Sequence, residues 1–191
     1  TPLPGSNGNF STTTYTGNDT LDTPLETGVD NTEKALCWFK CREGRSHMLC
    51  DTNDNSVYLM SDLTNAASAF GSGRTIGFTS TGVVLNNTSQ MNHNGAEFVA
   101  WNFAAAAGFF DIVTYEGGTP NRQVPHSLGV KPGFFVTKAL DGASDWYAYH
   151  GSLGANAFLR LNTTSNESNG GLPWNTTEPT DQVITIGGPT S

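Results

Sequence analysis

Ala35-Leu-Cys-Trp-Phe-Lys-Cys41, then Arg42-Glu-Gly-Arg45, then His47-Met-Leu-Cys-Asp51 is the stretch that decides the fold class. Two short apolar and aromatic runs flank a turn that contains Gly, which is the pattern of a β-hairpin. Closing that hairpin sets Cys37 opposite Cys50. Cys37 and Cys41 would share a strand face but lie roughly 13 Å apart at about 3.3 Å per residue, too far for a disulfide. Cys37 and Cys50 are then either small apolar fillers or a cross-strand disulfide. The chain has three cysteines, and a zinc site would need a fourth ligand.

A second hairpin of the same kind lies downstream. Gly133-Phe-Phe-Val-Thr-Lys138 and Trp146-Tyr-Ala-Tyr-His150 flank Asp141-Gly-Ala-Ser144, and Phe135 and Tyr149 take the places of Cys37 and Cys50. The parallel extends in both directions. Phe10-Ser-Thr-Thr-Thr-Tyr-Thr-Gly17 recurs as Phe110-Asp-Ile-Val-Thr-Tyr-Glu-Gly117, Gly28-Val29 as Gly129-Val130, and Val57–Met60 as Ala157–Leu161. An internal repeat is therefore expected, with residues 1–104 as the first copy and 105–191 as the second. Tyr15 should superpose on Tyr115 and Lys40 on Lys138. The first copy ends in Asn94-Gly-Ala-Glu-Phe-Val-Ala-Trp-Asn-Phe103, which reads as a strand after a turn. The second has no equivalent of that strand and is expected to be incomplete at its C-terminal end, leaving an open sheet edge near Val183–Ile186.

Strands are expected at Ala35–Cys41, Met48–Asp51, Val57–Met60, Thr75–Phe78, Val83–Leu85 and Phe98–Trp101. In the second copy they are expected at Ile112–Tyr115, Phe134–Lys138, Trp146–His150, Phe158–Leu161 and Val183–Ile186. Turn clusters such as Asn53-Asp-Asn-Ser56 and Gly71-Ser-Gly73 separate them at short spacing, the signature of a sandwich or barrel. One helix is expected, over Ser61–Phe70, with Ala104–Ala107 as a linker. Composition agrees. Charged residues are 14% of the chain, well below the usual quarter or so, and Thr, Asn, Ser and Gly replace them. Those residues suit strands and turns, so the chain reads as all-β with two tandem antiparallel β-sandwich repeats.

The formal net charge is −8, with 9 Lys and Arg against 17 Asp and Glu. Nine scattered cations cannot neutralise a phosphate backbone, which argues against nucleic-acid binding. No apolar run approaches the length of about 20 residues that spans a bilayer, so membrane insertion is not expected. The opening Thr1-Pro-Leu-Pro-Gly-Ser6 does not read as a signal peptide.

Chemistry-bearing patterns are sparse. Asp51, Asn53, Asn55 and Asp62 fall at positions 1, 3, 5 and 12 of a calcium-loop pattern, but Ser56 stands where the sharp turn needs Gly. Tight calcium binding is not expected, and no metal or other cofactor is assigned. His47, His93, His126 and His150 have no Gly-x-Ser-x-Gly partner. Asp141, Asp145, Glu167, Glu178 and Asp181 offer carboxylates for glycosidase chemistry, but nothing sets two of them across a cleft. No catalytic residue is assigned, and the chain does not read as an enzyme. Aromatic residues among Asn, Asp and Thr carry the binding signal: Trp146, Tyr147 and Trp174 are the candidate glycan contacts. Only one of Trp146 and Tyr147 can face inward on a strand. Trp174 either staples its loop to the core or joins a contact surface. Asn9, Asn18, Asn162 and Asn175 head Asn-x-Ser/Thr triplets, as chance allows in a chain so rich in Asn and Thr.

Phe98-Val-Ala-Trp-Asn-Phe103, Gly108-Phe-Phe-Asp-Ile-Val-Thr-Tyr-Glu-Gly117, the run Val124–Lys138, Asp145-Trp-Tyr-Ala-Tyr-His150 and Leu161-Asn-Thr-Thr164 together resemble a tandem β domain of bacteriophage virion proteins. That family occurs in marine phages and cyanophages, often in tail-fibre-like proteins. The resemblance implies concanavalin-like or jelly-roll-like sandwiches displayed on a virion. It also implies a tail fibre or appendage touching host surface glycans, other virion proteins as partners, and a homo-oligomer, a trimer. A capsid decoration or head fibre shares all these features, and a glycan-cleaving domain is the alternative from a different class. The family motifs transfer no catalytic residue.

Overall fold

Strict alternation governs the long strands. In Ala35–Cys41 every second side chain is buried, and Glu97–Ala104 repeats the pattern one register along. A strand turns successive side chains to opposite faces, so each can offer one row to a core. The computed structural model describes residues 8–118, 121–170 and 172–187. Backbone contacts divide the chain into two units. The first holds the residues up to Met60 together with Ala67–Ile112; the second holds Ser61–Ala66 and the residues from Val113 onward.

The first unit contains β1 (Phe10–Thr16), β2 (Thr23–Glu26), β3 (Ala35–Cys41), β4 (Met48–Asp51), β5 (Val57–Met60), β6 (Ser68–Ala69), β7 (Gly77–Phe78), β8 (Gly82–Leu85), the one-turn helix α1 (Ser89–Asn92) and β9 (Glu97–Ala104). A six-stranded antiparallel sheet runs β1-β9-β3-β4-β5-β6, and a three-stranded one runs β2-β8-β7. Cys37, Phe39, Met48 and Ala100 from the larger sheet meet Leu25, Val83 and Leu85 from the smaller in one core. On the other face of the larger sheet Trp38 stands opposite Trp101, with ring centroids 5.7 Å apart in an edge-to-face pair. Cys37 pairs with Cys50 across β3 and β4, as the hairpin reading requires. Gly44 closes that hairpin at φ +80°, a left-handed conformation that suits glycine. At Gly17, where β1 ends, a Cβ would collide with the carbonyl oxygen of His93.

A buried amide pair crosses the first core. Asn102 of β9 donates to Oδ1 of Asn31, while Nδ2 of Asn31 donates to the Gly82 carbonyl at 2.8 Å. Both side chains are fully buried, so these bonds replace the water they lost.

The second unit contains β10 (Arg122–Pro125), β11 (Phe134–Thr137), β12 (Tyr147–His150), β13 (Ala157–Arg160), β14 (Ser168–Asn169) and β15 (Val183–Ile186), with a 3-10 turn at Leu172–Trp174. One antiparallel sheet runs β11-β12-β13-β14, and β10 pairs with β15. Tyr149 and Phe158 from the first sheet, Val124 and Ile186 from the second, and Trp174 from the turn share a core. Phe135 pairs with Tyr149, again as the hairpin reading requires.

Three expectations are corrected. Ile112–Tyr115 is not a strand: β1 exists because β9 pairs with it from Phe10 to Thr16, and no described strand pairs with Ile112–Tyr115. Ser61–Phe70 is not a helix. Thr64 and Asn65 interrupt its short run of helix formers, and its last residues form β6 against β5. The helix lies instead at Ser89–Asn92. Ala104, expected in a linker, is the last residue of β9 and pairs with Ala35.

Candidate binding site

Alternation along β12 sends Tyr147 and Tyr149 to one face and Ala148 to the other. Tyr147 stands directly opposite Arg160 of β13. The Arg160 guanidinium carbon lies 5.0 Å from the Phe158 ring centroid and 5.8 Å from that of Tyr147, within cation–π range of both. Its Nε is 2.9 Å from Oδ2 of Asp145, and its Nη1 donates to the Ser168 hydroxyl at 3.0 Å. Asn162 donates to the other Asp145 oxygen at 2.9 Å and accepts from the Trp146 backbone N–H at 2.9 Å. A ring, a guanidinium, a carboxylate and an amide are thus fixed in one cluster. The Arg160 and Asp145 side chains each keep 27% of their surface in solvent. They present donors and acceptors in compensating charge, a mixture suited to a hydroxyl-rich neutral ligand.

Of the three predicted contact residues, Tyr147 belongs to this cluster as a half-buried ring. The other two are placed differently from the glycan expectation. Trp146 is 4% exposed and Trp174 1%. Trp174 sits edge-on to Phe135, at 4.7 Å, and to Tyr149, at 6.2 Å. The ring fills the core and offers no face to a sugar. Among the described residues its Nε1 has no hydrogen-bond partner. Of its two readings, the staple is the one its burial fits.

A second polar node escaped sequence reading. Glu178 accepts from the Tyr149 hydroxyl at 2.7 Å, from Lys131 Nζ at 2.8 Å and from the Ala155 backbone N–H at 2.7 Å. Bonding to Lys131 first, then to Tyr149 and Ala155, lowers its pKa to about 2. Burial, with the Glu178 bond and charge adding to it, pushes the Tyr149 phenol up to about 12. The three partners come from separate turns and strands, so no local motif announces the node. Its work is to tie the Asn175–Thr180 loop to the β12–β13 turn.

The acidic stretch from Asp51 uses its carboxylates locally. Asp51 accepts from the Asn53 backbone N–H at 2.7 Å and Asp54 from that of Ser56 at 3.0 Å, both turn-forming bonds. Burial holds the Asp51 carboxyl above the ordinary range. Cys37, Cys41 and Cys50 are buried free thiols, and burial pushes the Cys37 and Cys50 thiols far up. They pack as apolar fillers and are poor nucleophiles.

Among the described residues no helix is long and apolar enough to cross a membrane. Compared with curated proteins and with solved structures, the chain matches none. A family model does match, over residues 5–191, and it is described only as a domain of unknown function. The chain, with both units and the Tyr147 cluster inside that match, belongs to the DUF7483 family.

Proposed function

We propose that this chain is a non-catalytic structural and adhesive component of a bacteriophage particle, a tail fibre or appendage that touches host surface glycans. The observation that carries the adhesive part is the cluster of Tyr147, Arg160, Asp145 and Asn162. It combines an aromatic ring with fixed donors and acceptors at partial exposure. The particle context rests on the resemblance of the sequence motifs. Phe134 at 56% exposure and Leu159 at 37%, which share the opposite face of the β11–β13 sheet, fit a module that packs among other proteins.

We also infer that the two units are tandem β-sandwich repeats. The orders β3-β4-β5-β6 and β11-β12-β13-β14 support this, as do the pairings of β2 with β8 and of β10 with β15. In each unit two sheets share one core.

The test of adhesion is binding to immobilised bacterial surface polysaccharides, presented multivalently because single glycan contacts are weak. Binding that falls about tenfold or more in both Tyr147→Ala and Arg160→Ala, with melting temperature retained, supports the reading. Absent binding, or binding indifferent to both changes, refutes it.

A further inference from the structure

Among the described residues, strand β11 pairs on one side only. In the first unit, β3 lies between β4 and β9. Thr52 N–H donates to the Ala35 carbonyl at 3.0 Å, just as Gly151 N–H donates to the Gly133 carbonyl at 2.8 Å. Hydrogen-bonded pairs alternate along antiparallel strands. Cys37 and Phe135 therefore turn their backbone groups to the following strand, while Leu36, Trp38, Phe134 and Val136 turn theirs the other way. Leu36 and Trp38 spend them on β9, opposite Phe103 and Trp101. Among the described residues no strand pairs with Phe134 or Val136 on that side.

The edge also lacks most of the usual protection. Natural edge strands are kept short or carry Lys, Pro, a bulge or a cover, and of these β11 has only its length of four residues. β11 is Phe-Phe-Val-Thr, and Phe134 is 56% exposed. The core beneath it is less closed at the matched strand position: Cys37 is fully buried, whereas Phe135 is only partly so.

We propose that the outward edge of β11 is a strand-acceptor site. It takes an extended strand of a separate partner protein that runs antiparallel to β11 and is apolar at alternate positions, as β9 is. The first unit specifies the occupant's pattern and register: a residue in the place of Trp101 lies opposite Val136, and one in the place of Phe103 lies opposite Phe134. Backbone bonds supply affinity and alternate side chains supply selectivity, the logic of β-augmentation. Inward residues in the places of Phe98, Ala100 and Asn102 would cover Phe135 and Tyr115. This inference rests on the equivalence of β11 with β3 and does not depend on glycan binding.

The probe is a synthetic peptide of the Glu97–Ala104 sequence with flanking lysines, added to the whole chain while amide hydrogen exchange is followed. The expected result is slowing of about tenfold or more at Phe134 and Val136. A peptide with Pro in place of Trp101, unable to donate to Val136, should give no slowing. Tyr147→Ala should leave the slowing intact, which separates this site from the adhesive reading. No slowing with the native-sequence peptide, equal slowing with the Pro peptide, or slowing at other amides instead would overturn the proposal. So would peptide-independent protection of the same amides in a dimer, which would make the occupant a second copy of the chain.

Discussion

Phe10–Gly17 and Phe110–Gly117 share Phe, Thr, Tyr and Gly at matched positions, yet only the first forms a strand. Tyr15 stacks on Phe98 of β9 at 5.2 Å and its hydroxyl bonds the Met91 carbonyl. Tyr115 packs on the second core instead, and its hydroxyl bonds Thr137. Similar residues thus reach different secondary structure because one has a neighbour to pair with. Strand formation at a sheet edge is a property of the pair, since a lone extended segment gains no ladder to offset its conformational entropy.

The two units can be set against each other experimentally. All three cysteines lie in the first and Trp174 lies in the second, so thiol alkylation reports one and Trp174 burial the other. The largest effect is expected from Trp174→Ala, which empties the middle of the second core. It should cost about 3–5 kcal/mol. In denaturant titration, the second unit should then unfold while Cys37 and Cys50 stay protected from alkylation. Simultaneous exposure of the thiols would show that the units unfold as one.

A smaller loss, about 1–3 kcal/mol, is expected from Asn102→Ala, which leaves the buried Asn31 amide short of a partner. Thiol alkylation should accelerate while the environment of Trp174 stays native. Unchanged alkylation would mean that water replaces the lost amide.

The smallest effect belongs to Glu178→Gln. The folded carboxyl titrates at about 2, below its ordinary value of 4.5, so its contribution is present above pH 4.5 and fades as pH falls towards 2. The site is half exposed, and solvent screening holds that contribution to about 1 kcal/mol or less. Melting temperatures of the parent chain and Glu178→Gln should differ at pH 6 and converge near pH 2. A constant difference across that range would assign the effect to packing.

Where neighbours are close in sequence, the residues alone were legible. Both hairpins join strands adjacent in sequence, and the pairings of Cys37 with Cys50 and Phe135 with Tyr149 follow from aligning the apolar runs on either side of the turn residues. β5 and β15 were also readable from apolar runs bounded by turn residues. β2 and β10 were not, because each has four residues and includes a proline, which demotes a run to an edge strand or to none. β6 and β14 are two residues long and carry no periodicity to read. In the binding cluster, the aromatic signal at Tyr147 was visible. The burial of Trp146 was not, because adjacent aromatics do not declare which of them faces inward, and at Trp174 the sequence left the staple and the contact surface both open. Glu178 was visible only as one carboxylate among five and Arg160 gave no signal, since their partners come from other strands and turns.

The amide pair between Asn31 and Asn102 has a consequence for how the large sheet finds its alignment. The inner row of β9 is Phe98, Ala100, Asn102 and Ala104, so a slip by one residue would turn Val99, Trp101 and Phe103 inward and remains apolar. Hydrophobicity alone therefore discriminates poorly between alignments of this strand. Asn102 breaks the degeneracy: in every shifted alignment its amide moves away from Asn31 and leaves a polar group without its bond. One clasp of two amides acts as a checkpoint that a greasier pair of side chains would remove.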